Sequence, residues 1–329
     1  MIISKTPFRM SFFGGGTDYQ EFFKEYGGGV LTTTIDKYCY IHLRKLPPFL
    51  EYKNQLVYSK IERVNEIKEI EHPLVRETLK YLNMDRVGII YDADLPARSG
   101  LGTSSSFAVG LLHAIHVLSG KYVDKETLAK EAIYVERVLC NESGGIQDQI
   151  EVAYGGINRI NFNSSGFTVN PIIISEKQKK YLNQNLMLFF TGFSRISSEI
   201  AQEQKKETQN NIAKLKEMLQ LVDDAEKILT RNEHIEEFGV LLDYTWKLKR
   251  GLTSKISTSD IDILYERAKK AGAIGGKLLG AGGGGFLLLY VPLEKQDYVR
   301  KELLDLIYVP FKFENEGTKI LYYCVDENK

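Results

Sequence analysis

Alternating hydrophobic and polar positions dominate the first half of the chain, and helical periodicity dominates the second half. Residues 30–43 are rich in β-branched and aromatic side chains, which are typical of a long strand. Residues 107–118 form an apolar run of helical character, and residues 125–140 carry apolar positions three and four residues apart. Further along, the apolar stripe from Ile212 to Leu229 predicts a long amphipathic helix.

A polar stretch, residues 175–185, lies between these halves and has the composition of a linker. A chain of 329 residues is long enough for two domains with separate hydrophobic cores. The sequence therefore predicts one domain over residues 1–180 and a second over residues 181–329. The charged, weakly periodic residues 61–83 are predicted to form surface helices.

Residues 96–106 have the composition of a phosphate-binding loop. Gly100 and Gly102 flank one leucine, and four hydroxyl residues, Thr103 to Ser106, lead directly into the apolar helix. Unpaired N–H groups at a helix start attract anions, and hydroxyls can bind phosphate-bound Mg²⁺. A serine N-cap on an ordinary buried helix would have the same composition. These residues alone leave both interpretations open.

Four charged residues stand out by their positions. Arg9 lies inside the first predicted strand, where a cation is unusual unless an anionic group faces it. Asp18 and Asp148 each follow a glycine turn and precede a helix, so each is either a helix-terminal partner or a carboxylate presented for chemistry. Glu136 is adjacent to the apolar stripe of its helix. It is either a functional carboxylate or a residue that is simply solvated beside that stripe.

Two other motif-like features are interpreted as structural. Gly280, Gly282 and Gly285 satisfy GxGxxG, but they precede a strand, whereas a dinucleotide fingerprint follows one. His113 and His116 lie three residues apart on one helix with no third ligand at a suitable spacing, which favours packing over zinc binding.

The overall charge and the cysteines indicate which partners and which cellular compartment to expect. Lys and Arg balance Asp and Glu at 43 each, so no net field favours nucleic acid or an anionic membrane. The three cysteines form no CxxC pair, and no signal peptide or bilayer-length apolar run is visible. We therefore expect a cytoplasmic protein that needs neither a membrane nor nucleic acid.

Four segments, taken together and in this order, resemble the motifs of the GHMP kinases (galactokinase, homoserine kinase, mevalonate kinase and phosphomevalonate kinase): Pro7–Asp18, Pro96–Ser106, Gly144–Gln149 and Lys277–Gly285. The chain looks most like the D-glycero-D-manno-heptose 7-phosphate kinases in Arg9 followed by residues 13–18, in residues 28–36, in residues 100–106 and in residues 191–195. GGGTDY at 14–19 stands where galactokinases usually have GEHTDY, which argues against galactose as the substrate. The resemblance implies an α+β fold, with a left-handed βαβ crossover in the N-terminal domain and a ferredoxin-like C-terminal domain.

The resemblance also implies a reaction, the ATP-dependent phosphorylation of the anomeric C1 hydroxyl of D-glycero-D-manno-heptose 7-phosphate in nucleotide-activated heptose biosynthesis. Asp148 matches the catalytic aspartate, Arg9 its basic neighbour, and Ser104 and Glu136 the Mg²⁺ ligands. The residues expected to bind ATP are Pro96, Arg98, Ser99, Gly100, Leu101, Gly102, Thr103, Ser104 and Ser105. Those expected to bind the substrate are Gly15, Gly16, Thr17, Asp18, Gly144, Gly145, Asp148, Arg195, Gly282 and Gly283.

Arg98 and Arg195 are the candidates for the 7-phosphate, since arginine binds phosphate in a bidentate manner. Surface arginines are the alternative for both. A kinase for a fucose-like or galactose-like sugar, or for a mevalonate-type alcohol, remains open, as do a non-catalytic sugar sensor and a homodimer.

Overall fold

The computed structural model describes residues 1–97, 99–192, 197–231 and 234–324. Within these ranges the strands form two sheets. The nine-stranded sheet contains β1 (Ile2–Phe13), β2 (Gly28–Lys45), β3 (Asn54–Val57), β4 (Ile61–Val64), β5 (Val87–Ala93), β6 (Ile157–Asn163), β7 (Gly166–Pro171), β12 (Phe313–Glu314) and β13 (Lys319–Tyr323). The four-stranded sheet contains β8 (Leu186–Phe190), β9 (Gly275–Leu278), β10 (Phe286–Tyr290) and β11 (Ile307–Tyr308).

The helices pack around these sheets. They are α1 (Gln20–Tyr26), α2 (Pro73–Tyr81), α3 (Thr103–Leu118), α4 (Lys125–Ile133), α5 (Gln147–Tyr154), α6 (Glu176–Gln184), α7 (Ser197–Lys206), α8 (Ile212–Arg231), α9 (Glu237–Arg250), α10 (Ser259–Lys270) and α11 (Gln296–Glu302). A π-helical segment, Tyr134–Leu139, continues directly from α4.

Strand β2 organises the first sheet. One edge of this 18-residue strand pairs with β1, and the other edge is shared in turn by β6, β12 and β5. The final strand, β13, pairs with β1, so the end of the chain returns to the first sheet. The division at residue 180 stays a prediction, and the strands after residue 312 belong to the N-terminal sheet.

The second sheet has the order β11-β8-β10-β9, and all of its pairings are antiparallel. Along the chain these elements run strand, helices, strand, strand, helix, strand. This is the ferredoxin-like arrangement, and it agrees with the predicted α+β fold class.

Two local predictions are wrong. Residues 175–185 are not a linker, because residues 176–184 form α6, which Ser175 caps through a bond from the N–H of Gln178. The polar composition of the segment predicts a linker, but the segment forms a helix that buries Leu182. Residues 61–64 form β4 rather than a helix, because they pair with β3.

Helix α3 lies at the centre of the first domain. It packs against β1, β2 and α5, and most of its side chains are buried. Its first turn follows the Gly100–Gly102 loop, so this buried helix holds the predicted phosphate loop in a fixed position.

Candidate active site

Arg9, Asp148 and the Gly100 turn meet in one place although they lie far apart in the sequence. The Arg9 guanidinium donates from Nε to Asp148 Oδ1 at 2.7 Å and from Nη2 to Oδ2 at 2.5 Å. Its Nη1 donates to the carbonyl oxygen of Gly100 at 2.7 Å. The arginine is buried in β1, so Asp148 at the start of α5 supplies the negative charge that its position requires.

Glu136 collects three neutral donors. Ser104 Oγ donates to Oε1 at 2.7 Å, Ser105 Oγ donates to Oε2 at 2.8 Å, and Gln149 Nε2 also donates to Oε2. The glutamate is 1% exposed and lies in the π-helical segment, a distortion that is frequent at functional sites. Among the residues that the structure describes, no basic side chain forms an ion pair with it.

Asp18 connects the first glycine turn to α5. Its Oδ1 accepts the N–H of Gly16 at 2.9 Å, and its Oδ2 accepts the N–H of Gln147, the first residue of α5, at 3.3 Å. The N-cap of α1 is Tyr19, so the alternative that Asp18 caps this helix is wrong. Burial raises the pKa of Asp18, and nearby Asp148 raises it further. A Cβ at Gly145 would lie 1.8 Å from Asp18 Oδ2, so any larger residue there would displace the Asp18 carboxylate.

Two glycine loops touch through their backbones. A Cβ at Gly100 would lie 2.4 Å from the carbonyl oxygen of Leu279, and one at Gly280 would lie 2.5 Å from the Cα of Gly100. Residues 280–285 lie between the antiparallel strands β9 and β10, so the GxGxxG spacing of Gly280, Gly282 and Gly285 belongs to a strand-to-strand connection. This connection brings the second sheet against the predicted phosphate loop at Gly100.

These elements enclose a cavity of about 200 Å³. Most of the predicted site residues line it: Arg9, Gly15, Gly16, Asp18, Gly100, Gly102, Thr103, Ser104, Ser105, Glu136, Gly144, Gly145 and Asp148.

The other predicted site residues are located differently. Thr17 is buried and its hydroxyl donates to the carbonyl oxygens of Gly14 and Gly29, so it holds the turn together instead of facing the cavity. Ser99 and Leu101 are fully buried. Gly282 and Gly283 lie against the backbone of Ile256 and do not line the cavity. Pro96 lines a neighbouring cavity. Arg98 and Arg195 lie outside the described residues.

That neighbouring cavity is larger, about 1060 Å³, and shares Thr103, Ser104 and Glu142 with the first. Its walls come from Tyr91 and Phe107 together with the segments 58–60, 71–73 and 92–97. The predicted phosphate loop therefore lies between two cavities.

Sequence reasoning missed two cations of the first cavity. Lys277 in β9 donates to the carbonyl oxygens of Ser11 and Phe12 in β1, at 2.9 and 2.8 Å, and joins the two sheets. Lys249 in α9 donates to the carbonyl oxygen of Gly280 at 2.6 Å. Burial lowers the pKa of both, that of Lys249 to about 8. Lys277 is the first residue of the Lys277–Gly285 segment that resembles a family motif. Nothing in the local sequence distinguishes Lys249 from the surrounding basic residues.

None of the helices in the described ranges combines the length and apolar character needed to cross a bilayer.

Comparison with known proteins gives two family matches. The profile of the GHMP kinases N terminal domain matches residues 66–156, and that of the GHMP kinases C terminal matches residues 224–305. Together they span just over half of the chain.

The similarity to individual relatives covers nearly the whole length of this chain. The chain is 29% identical to a D-glycero-alpha-D-manno-heptose 7-phosphate kinase of Campylobacter jejuni, over 97% of this chain and 98% of the relative. It is 27% identical to a bifunctional fucokinase/GDP-fucose pyrophosphorylase of Arabidopsis thaliana, over 90% of this chain but only 30% of the relative. The crystal structure of a D-glycero-D-manno-heptose 1-phosphate kinase from Bacteroides thetaiotaomicron has the same fold, with a TM-score of 0.81, 23% identity, and coverage of 99% of this chain and all of that one.

The two family matches, the ferredoxin-like second sheet and the full-length relatives lead to one conclusion, which is that this chain belongs to the GHMP kinases and is an ATP-dependent phosphotransferase.

Proposed function

We propose that this kinase transfers the γ-phosphoryl group of ATP to the anomeric C1 hydroxyl of D-glycero-D-manno-heptose 7-phosphate. The observation that carries the chemistry is the bidentate Arg9–Asp148 pair bonded to the carbonyl of Gly100, at the edge of the phosphate loop. The choice of acceptor rests on the relative from Campylobacter jejuni, which the chain matches from end to end.

Asp148 is proposed as the general base. Its two oxygens offer about four acceptor positions, of which Arg9 uses two, and its side chain remains 22% exposed in the cavity. The C1 hydroxyl passes its proton to Asp148 while its oxygen forms a bond to the γ-phosphorus. The bond from that phosphorus to the oxygen bridging the β- and γ-phosphates breaks, and ADP leaves. Arg9 neutralises charge that develops beside the reacting oxygens.

The loop residues Gly100 to Ser105 are proposed to bind the ATP phosphates through the open N–H groups at the start of α3. We assign the neighbouring cavity to the nucleoside, since it is contiguous with the loop at Thr103 and Ser104 and its walls carry Tyr91 and Phe107. An aromatic, mostly apolar wall suits a flat base.

Mg²⁺ fits the pair Ser104 and Glu136. Both offer oxygen ligands, which this cation prefers. Glu136 is also a buried carboxylate held by neutral donors alone, so a bound cation would supply the missing counter-charge. When bound, the ion would neutralise charge on the transferring phosphoryl group.

The sugar is proposed to bind against the turn at Gly15 and Gly16 and the opposite turn at Gly144 and Gly145. Asp18 accepts hydrogen bonds from the backbone on both sides, at Gly16 and at Gln147. Its role in sugar binding therefore includes positioning the backbone that faces the sugar.

A second candidate is a kinase for an unphosphorylated sugar such as fucose, which the similarity to the Arabidopsis enzyme supports. A non-catalytic sensor is disfavoured, because such a protein has no need to keep Arg9, Ser104, Glu136 and Asp148 around one cavity.

The test is a panel of acceptors assayed for ATP consumption: heptose 7-phosphate, heptose 1-phosphate, unphosphorylated heptose, fucose, galactose and mevalonate. We expect the highest kcat/KM with heptose 7-phosphate and a requirement for Mg²⁺. Phosphorus NMR of the product should show a new phosphate on C1. Turnover of fucose or galactose alone, or a product phosphorylated elsewhere, would refute the proposed acceptor.

A further inference from the structure

Three polar side chains surround Gly15 on one wall of the active-site cavity. A Cβ placed on Gly15 would lie 3.8 Å from Ser11 Oγ, 3.8 Å from Gln147 Nε2 and 3.9 Å from Lys249 Nζ. All three residues line the cavity. We call Ser11, Gln147 and Lys249 the Gly15 subsite.

The subsite has unused hydrogen-bonding capacity although it is buried. Ser11, Gln147 and Lys249 are 6%, 8% and 5% exposed. Among the described residues, the Ser11 hydroxyl and the Gln147 side-chain carbonyl have no hydrogen-bond partner. Buried polar atoms of folded proteins are almost always paired, so these two point to a ligand. The Ser11 hydroxyl can donate to an anionic oxygen, whereas the Gln147 carbonyl accepts and suits a hydroxyl group of the sugar.

Lys249 carries a charge without a carboxylate partner. Its one hydrogen bond within the described ranges goes to the carbonyl oxygen of Gly280, which leaves two N–H donors of the ammonium group. Asp18 and Asp148 act on it only at longer range, and Arg9 and Lys277 repel it. A buried charge is costly unless an opposite charge accompanies it.

These donors suit a group with several acceptor oxygens and a negative charge. The ammonium, the hydroxyl and the Gln147 amide can all donate, and the ammonium supplies the positive charge. The subsite adjoins the Gly15–Gly16 turn, which is part of the wall assigned to the acceptor.

We propose that the Gly15 subsite binds the phosphate that the acceptor already carries, with Lys249 as the residue that selects phosphorylated over unphosphorylated sugars. This inference rests on the proposed function, since it presumes a sugar phosphate as the acceptor. It assigns the phosphate contact to a lysine of the second domain.

The experiment compares two acceptors, D-glycero-D-manno-heptose 7-phosphate and the same heptose without phosphate, in the full-length enzyme with ATP and Mg²⁺. In Lys249→Gln the ratio of the two kcat/KM values should fall about ten- to a hundredfold, the range of one charge-assisted hydrogen bond. The loss should appear as a higher KM for the phosphorylated sugar. Lys249→Arg, which keeps the charge, should recover part of the preference.

Two further variants distinguish a loss of phosphate binding from a loss of folding. Ser11→Ala removes an unpartnered hydroxyl and should lower the same ratio about two- to tenfold. Lys214→Gln is the matched control, since Lys214 also donates to a backbone carbonyl, that of Gly251, but at the surface. It should leave the ratio unchanged. Thermal stabilisation by heptose 7-phosphate without ATP gives a binding readout, and it should weaken in Lys249→Gln and, to a smaller extent, in Ser11→Ala, but not in Lys214→Gln.

The outcomes separate the two proposals. A wild-type enzyme that phosphorylates only unphosphorylated sugars overturns the proposed acceptor and this inference together. If heptose 7-phosphate is the preferred acceptor and Lys249→Gln leaves the ratio intact, the subsite assignment alone is wrong. An equal fall of kcat with both acceptors would mean that Lys249 contacts the transferred phosphoryl group, which also overturns the assignment.

Discussion

Replacing Asp148 by asparagine keeps the shape of the side chain and removes its charge. In the structure this carboxylate accepts two hydrogen bonds from Arg9, at 2.7 and 2.5 Å, and the two side chains are 5% and 22% exposed. Removing one partner of a fully buried ion pair costs about 3–5 kcal/mol. Because Asp148 borders the cavity and asparagine can still accept one bond, we expect a loss of unfolding free energy of about 1.5–3 kcal/mol.

The effect on catalysis should be larger and should fall on kcat. A positioned general base contributes roughly 10²- to 10⁴-fold, which corresponds to about 3–5 kcal/mol of activation free energy. The KM for ATP should stay near the wild-type value, since Asp148 accepts no bond from the loop backbone. Arg9→Met combined with Asp148→Asn should cost much less than the sum of the single changes, because the two residues act as a unit.

The assay is steady-state ATP consumption, accompanied by thermal unfolding. Asp305→Asn is a matched control, since Arg267 donates to both oxygens of Asp305 at 2.9 Å, but at the surface. This change should cost less than about 1 kcal/mol of stability and should leave kcat unchanged. An Asp148→Asn enzyme that keeps more than about a tenth of wild-type kcat would remove Asp148 from the role of base.

Three further predictions concern the metal, the acceptor turn and pH. Glu136→Gln should raise the Mg²⁺ concentration for half-maximal activity at least about tenfold, measured by metal titration, because a neutral amide replaces a charged oxygen ligand. Gly145→Ala should raise the KM for the acceptor and lower the stability by about 1–3 kcal/mol, because its Cβ would lie 1.8 Å from Asp18 Oδ2. Gly251→Ala is the control, since its Cβ would come no closer than 3.3 Å, to a lysine ammonium. Burial raises the pKa of Glu151 from 4.5 to about 8, so the folded chain keeps a proton that the unfolded chain has lost in this window. Stability should therefore fall as the pH rises from 4.5 to 8, and Glu151→Gln should raise the Tm at pH 8 more than at pH 5.

Each of these has a contrary outcome. An unchanged metal dependence in Glu136→Gln would exclude this glutamate as a ligand. Gly145→Ala with normal acceptor kinetics would mean that Asp18 can move freely. A Tm difference for Glu151→Gln that is the same at both pH values would show that Glu151 does not carry the proton.

The candidate residues of the phosphate loop could be predicted because their signal is local. Two glycines, four hydroxyls and an apolar helix follow one another in the chain, and the structure indeed begins α3 at Thr103. Arg9 was noticeable for a similar reason, since a cation inside a strand implies an anionic partner. The partner itself, Asp148, lies 139 residues away, and only the resemblance to a family connected the two beforehand.

The positions of Thr17 and Asp18 depend on contacts that local patterns do not contain. Both follow a glycine turn, yet the hydroxyl of Thr17 faces inward to Gly14 and Gly29 while Asp18 reaches the first N–H of α5. A sequence places both at the same turn, and the packing of that turn decides which one faces the cavity.

Most helices and strands, and the residue types of the predicted phosphate loop, could be predicted from the sequence because periodicity and turn chemistry act over a few neighbouring residues. Long-range packing, by contrast, closes the Gly280 loop against Gly100, returns the last strands to the first sheet, and brings Lys249 and Lys277 to the cavity. Lys277 bonds to residues 265 and 266 positions away. Such contacts follow from how two sheets pack together, and the pattern along either strand contains no information about the other.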